Sequence, residues 1–286
     1  MQTLSENGPK RKAQELRAQI DGRLATLAGA VDEVRASETF RAYLDTQAKF
    51  HSYSWHNCML IAMQRPSATQ VAGYRQWQKL GRQVRKGEKS IAIIAPCTYK
   101  REVERDDGET DIEAGVYFRA VSVFDIAQTD GDDLPTVDVP TIDAVADDLL
   151  AKLLTVARSR EIRVNFGQIP SGAFGVSKGG TIDIDDQHPT GQQAKTLAHE
   201  LAHEALHKQD RPHGLTRGIA ELEAESVAYV VGTHFGLDCE VRSSRYIALW
   251  NGDGKALKAS LDRIATTARD IIDDVEAPNA RKGVAA

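Results

Sequence analysis

A chain of 286 residues is longer than one average domain and comfortable for two. With 41% hydrophobic and 27% charged residues its composition is that of an ordinary globular protein, and no apolar run approaches the roughly 18 residues that span a bilayer. A net charge of −5 argues against a protein that coats duplex nucleic acid over its whole surface. Cys58, Cys97 and Cys239 are odd in number and far apart, which argues against a disulfide framework or a Cys-based zinc knuckle; buried thiols are expected. The polar start of the chain lacks the apolar stretch of a secretory signal, so a cytoplasmic location is expected.

Residues 10–47 have Leu16, Ile20, Leu24, Leu27, Val31 and Val34 at helical spacing. A second helix is expected near 54–64, stopped by Pro66, and a short one at 73–80, ended by Gly81. Two strands follow, Ser90–Ala95 and Gly115–Phe124, joined by a charged, Gly-containing connection at 101–114. Charge changes sharply here. Residues 51–101 carry nine Lys or Arg against one acid, whereas 125–148 carry eight Asp and no base, which marks a boundary. Residues 127–141, rich in Pro, Gly and Asp, read as a linker. Beyond it the pattern predicts a helix at 142–158, and a strand, loop and hairpin over 162–185 that turns at Ser177–Gly180. Helices near 191–208, 217–234 and 255–275 complete the chain. The fold class is α+β in two domains, 1–126 and 142–286.

The strongest motif is His199-Glu-Leu-Ala-His203. Thr190 and Gln193 form a capping-box pattern before it, and Ala194, Leu197, Leu201 and Ala205 form an apolar stripe that would bury the helix. Histidines four apart stack one turn above each other, so both can reach one zinc ion at about 2.0–2.1 Å. Glu200 sits one step round the helix, where a carboxylate could take a proton from metal-bound water. A third ligand is needed, and Glu221-Leu-Glu-Ala-Glu225 on the next helix supplies candidates, Glu221 and Glu225 sharing a face. The same acids also suit a solvated helix start. His207 lies about 6 Å beyond His203 and is expected to pack or face solvent. Tyr246 and His234 are both open as oxyanion stabilisers, and strand Thr181–Asp185 could present an edge to an extended peptide.

These two motifs in succession resemble the gluzincin pattern of ImmA/IrrE-like metallopeptidases. The resemblance implies a zincin-like domain with zinc, or another divalent metal, as cofactor. It makes Glu221 the third ligand and Glu225 the group that orients a ligating histidine through its other nitrogen. Glu225 stands where such families usually have Asp or Asn.

In the N-terminal half, cations interleave with aromatic rings around Leu80-Gly-Arg-Gln-Val-Arg-Lys-Gly-Glu-Lys89, a mixture suited to single-stranded nucleic acid. Trp55 and Trp77 are residues more often found in a core, and the basic run reads also as a solvated turn. The pattern W-x-x-L-G-x-x-V-R-K-G-E-K, with its flanks over about residues 10–130, resembles the N-terminal domain of ArdC antirestriction proteins. That family joins a single-stranded-DNA-binding domain to a zincin-like domain. The resemblance implies a mobile-element protein that protects incoming DNA from restriction, with single-stranded DNA as partner and a protein as a further possible substrate. Trp77, Arg82, Arg85, Lys86 and Lys89 are the expected DNA contacts. Two other readings stand beside it: a regulatory metalloprotease that cleaves a specific protein such as a repressor, and a silent, metal-stabilised interaction module.

Overall fold

The computed structural model describes residues 7–28, 33–104, 110–132, 142–207, 216–239 and 253–277. The chain divides into two compact units, one of Met1–Arg23 and His56–Leu134, the other of Leu24–Trp55 and Pro135–Ala286. Charge patterning groups residues 1–126 together, whereas packing puts 24–55 with the C-terminal residues.

The expected long helix at 10–47 is present as two, α1 (Asn7–Ala28) and α2 (Glu33–Lys49). After α3 (Trp55–Gln64), β1 (Val71–Gly73), α4 (Tyr74–Lys79) and β2 (Arg82–Val84), the chain makes a long antiparallel hairpin of β3 (Ile91–Glu104) and β4 (Thr110–Asp125). Strand order is β1-β4-β3. The ladder runs on to the Glu104–Thr110 pair, through residues whose charge suggested a loop. Backbone groups make the ladder, so polar side chains do not end it. The outer edge of β3 is closed by two carboxamides from α3. Asn57 donates to the Ile94 carbonyl and accepts from its N–H, both at 2.9 Å, and Gln64 does the same at Ala92, at 2.8 and 2.9 Å. A helix thus substitutes for the missing strand and protects an edge that would otherwise pair with another chain.

The first part of the expected linker is ordered. Asp125, buried, accepts from the Thr69, Gln70 and Ala127 N–H groups, starting a 3-10 turn at Ile126–Gln128. Then β5 (Thr129–Gly131) pairs with β2. Residues 133–141 lie outside the described residues.

In the second unit, α5 (Ile142–Ser159) leads to β6 (Arg163–Phe166), β7 (Gly175–Ser177) and β8 (Thr181–Ile184), then α6 (Thr190–Leu206), α7 (Arg217–His234) and α8 (Gly254–Glu276). The sheet order is β6-β8-β7, with β6 parallel and β7 antiparallel to the central strand. This overturns one expectation. Strand β8 has both edges paired and its Ile182 and Ile184 fully buried, so the edge strand beside α6 is β7. The start of α6 also differs: its N-cap is Pro189 with no side-chain cap, and Gln193 donates instead to the His188 carbonyl at 2.6 Å. Helix α6 packs against α5, α7 and α8 through Leu197, Leu201 and the small residues between them, and α2 packs on α7. Among the described residues no helix is long and apolar enough to cross a membrane.

Candidate metal centre and nucleic-acid surface

Helix α6 presents His199 and His203 from one face, and the first acid of ELEAE on α7 comes to meet them. Their Nε2 atoms are 3.0 Å apart, and each lies 3.6 Å from Glu221 Oε2. Ligands about 2.0–2.1 Å from a tetrahedral zinc stand roughly 3.3 Å from one another, so this triangle already has the dimensions of one face of such a site.

The hydrogen atoms point the same way. His199 Nδ1 lies 3.4 Å from Glu225 Oε2, a carboxylate also held at 2.7 Å by Lys195 Nζ. On the other ligand row, His203 Nδ1 is 2.9 Å from His207 Nδ1, and His207 Nε2 is 3.2 Å from Glu223 Oε2. Glu223 is fully buried and accepts from Ser260 Oγ at 2.5 Å and from Arg263. A carboxylate accepts only, so His207 donates from Nε2 and accepts at Nδ1, and His203 donates from its own Nδ1. Both ligand histidines therefore turn a bare Nε2 inward, toward each other and toward Glu221. Three donor atoms of this kind turned toward one point suit a cation.

The carboxylates around the histidines favour positive charge in this pocket. Burial alone would lower the His199 pKa, but Glu221 and Glu225 overcome it and raise it to about 9. The same contacts with His199 and His203 hold the Glu221 carboxyl far below its ordinary range. The donors fit a divalent ion.

Glu200 is buried beside the triangle, and that burial pushes its pKa up from the usual carboxylate value. It faces β7 at close range. A methyl group on Gly175 would lie 2.6 Å from Thr196 Cγ2 and 3.0 Å from Glu200 Cγ, so only glycine lets the edge strand approach α6 there. Glu204, one turn further, fastens the β7–β8 turn. It accepts from Ser177 Oγ at 2.6 Å and from the Gly179 and Gly180 N–H groups at 2.8 and 2.7 Å. Both glycines have positive φ, as the sequence led one to expect of this turn. An open cleft runs between Phe174–Lys178 on one side and the histidines, Glu200 and Glu221 on the other.

Sequence reasoning missed the roles of Glu204, Lys195, Ser260 and Arg263, which carry no motif and act through tertiary contacts. Of the two roles expected for His207, packing is the one found: its side chain is 5% exposed and bonded on both nitrogens. His234 does not line the cleft, and Tyr246 lies outside the described residues.

The expected DNA contacts fare unevenly. Trp77 is 2% exposed and its indole donates to the Phe124 carbonyl at 2.8 Å, so it has no free face on which a base could stack. It is a core residue. Arg82 holds Thr129 and the Gly131 and Asp132 carbonyls, which pins β2 to β5. Arg85 is exposed but joined to Glu88 at 2.8 Å, Asp130 at 3.2 Å and the Ala127 carbonyl at 2.5 Å. Lys86 and Lys89 are exposed and make no ion pair among the described residues. On the β3–β4 hairpin, Tyr99 and Phe118 are the exposed rings, with Arg17 over Phe118 at 4.6 Å.

Comparison with known proteins adds to this geometry. The model of the N-terminal domain of anti-restriction factor ArdC matches residues 10–124, and that of the IrrE N-terminal-like domain, peptidase family M78, matches residues 157–231. Residues 10–124 are thus similar to the N-terminal domain of ArdC, and residues 157–231 to the IrrE N-terminal-like domain. An uncharacterized protein of Bacillus anthracis, pXO2-81, is 26% identical over 277 residues, taking in 80% of this chain. The alignment spans 46% of that relative, about half its length. The metal-free crystal structure of the antirestriction protein ArdC from plasmid R388 matches with a TM-score of 0.51 at 24% identity, over 78% of this chain and 82% of that one. A manganese-bound structure of the same protein gives 0.46 at 23% identity. The ArdC-type domain thus contains the basic segment and the hairpin, and the IrrE-like domain contains the histidine triangle.

Proposed function

We propose that the chain is an antirestriction-type protein that binds single-stranded DNA through its ArdC-type domain and hydrolyses a peptide bond in its IrrE-like domain. The observation that carries the enzymatic half is the convergence of His199, His203 and Glu221 on one point with Glu200 buried beside them. These three residues would hold zinc. Held there, the ion would supply a Lewis acid for the scissile carbonyl and would lower the pKa of a nearby water. Glu200 holds and passes on the proton, and its raised pKa suits a group that must both take and release one. Glu225 and His207 keep the two imidazoles in the tautomer that faces inward. The edge of β7, held close to Glu200 by Gly175 and tied by Glu204, can pair with an extended protein substrate.

For DNA, Lys86 and Lys89 offer cations, and Tyr99 and Phe118 offer the exposed rings that Trp77 does not. In a cell such a protein would act in the cytoplasm, where incoming DNA meets restriction enzymes.

The deciding variant is Glu200→Gln in the full chain. Bound zinc should stay at the wild-type level while hydrolysis of an unfolded protein substrate falls by at least about 100-fold. Full hydrolysis by this variant would remove Glu200 from the role of base. If restriction protection survived with proteolysis lost, DNA shielding alone would account for protection.

A further inference from the structure

A second group of metal-ligating side chains sits where three helices of the same unit end. His51 follows α2 by two residues, His234 is the last residue of α7, and Glu276 is the last of α8. One donor atom from each lies within 4.8 Å of the others, and the two imidazole centroids are 4.5 Å apart, edge to face. Asp273 adds a carboxylate 3.8 Å from His51 Nε2.

The hydrogen-bond logic of the first site repeats here. His234 Nδ1 is 2.9 Å from the Ala48 carbonyl, which can only accept, so Nδ1 bears the hydrogen. In the neutral ring Nε2 is then bare, yet it lies 3.0 Å from the Glu276 carboxylate. Two acceptors at that distance need a cation or a proton between them. His51 Nδ1 is buried with no hydrogen-bond partner, an orphan that a folded protein normally avoids. The segment is held in place rather than draped: Arg269 on α8 donates to the His51 and Tyr53 carbonyls, both at 2.9 Å. Helix C-termini carry partial negative charge, and three of them end in this cluster, which favours a positive guest.

We propose that His51, His234 and Glu276 form a second divalent-metal site, distinct from the His199 triangle. Two imidazoles and a carboxylate select zinc or a neighbouring transition metal rather than magnesium or calcium, which prefer all-oxygen shells. The residue after His234 is Phe235, so α7 itself places no carboxylate next to the ligand as α6 places Glu200 next to His199. The site is structural. It clips the end of α2, from the stretch that matches the ArdC model, to the ends of α7 and α8.

The test counts zinc on the full chain after stripping with a chelator, refilling with zinc chloride and titrating against a chromophoric competitor. Wild type is expected to bind two ions, His203→Ala one, and His203→Ala combined with His51→Gln none. Glu276→Gln, which alters an exposed carboxylate and leaves the core intact, should weaken the second ion at least about tenfold. It should lower the thermal midpoint only when zinc is present. One ion in wild type and none in His203→Ala would overturn the proposal and show an imidazolium–carboxylate pair. An unchanged count and affinity in both His51→Gln and Glu276→Gln would overturn it too. One ion that survives His203→Ala but not His51→Gln would uphold this site while removing the first.

Discussion

The α6–α7 cluster and the basic run Leu80–Lys89 are both dense in charge, and they resolve in opposite ways. In the cluster, the contacts to Lys195, Glu223, Glu225 and His207 hold the outer atoms and leave the inner atoms of His199, His203 and Glu221 facing only one another. In the basic run, Arg82 and Arg85 have carbonyls and carboxylates of their own domain to hold, and only Lys86 and Lys89 remain for something outside. The difference shows why a count of charges is a poor guide to an interface. A site is where internal bonding stops short; a scaffold is where it closes.

The largest effect that would sharpen this contrast is at Trp77. Trp77→Ala should cost about 3–5 kcal/mol of stability in a denaturant melt, because it empties a core position and orphans the Phe124 carbonyl. Loss of DNA binding with an unchanged melt would return Trp77 to the interface. Next is Arg263→Met, which leaves the Glu223 carboxylate buried without its cation, at a cost of about 3 kcal/mol. Burial would raise the Glu223 pKa, but His207, Arg263 and Ser260 reverse it and keep it below 4.5. A depressed carboxylate stabilises fully above its unfolded pKa and loses that contribution as pH falls through the folded one. Wild-type stability measured by urea melts should therefore drop on acidification below about 4.5, and the Arg263→Met variant should drop less steeply. A variant with the wild-type slope would place the pH dependence elsewhere. The smallest change is Lys86→Glu with Lys89→Glu. Stability should hold, while the salt dependence of binding to a single-stranded oligonucleotide flattens by about one unit of slope per lysine or more. Unchanged binding would move the DNA path away from this turn.

Much of the second domain was legible. Helices expected at 191–208 and 217–234 are found at Thr190–Leu206 and Arg217–His234, since the apolar period is a local property. The turn at Ser177–Gly180 followed from two adjacent glycines. The hairpin ladder through 101–104 was not legible, because charge there imitates a loop, nor was β5, whose Asp and Gly composition reads as a linker.

By itself the sequence determined what depends on neighbours a few residues apart. Spacing of four put His199 and His203 on one helix face, and the domain order followed from its two motif sets. Spacing left Glu221 and Glu225 both open and the family resemblance pointed to Glu221; tertiary structure alone decided which strand forms the edge and that His207 rests on Glu223, which Arg263 also holds. It also brought residues 51, 234 and 276 together at three helix ends. The reason is that helical and strand periods are set by backbone geometry within one segment. Contacts across the chain depend on how whole elements pack, and no local pattern records that.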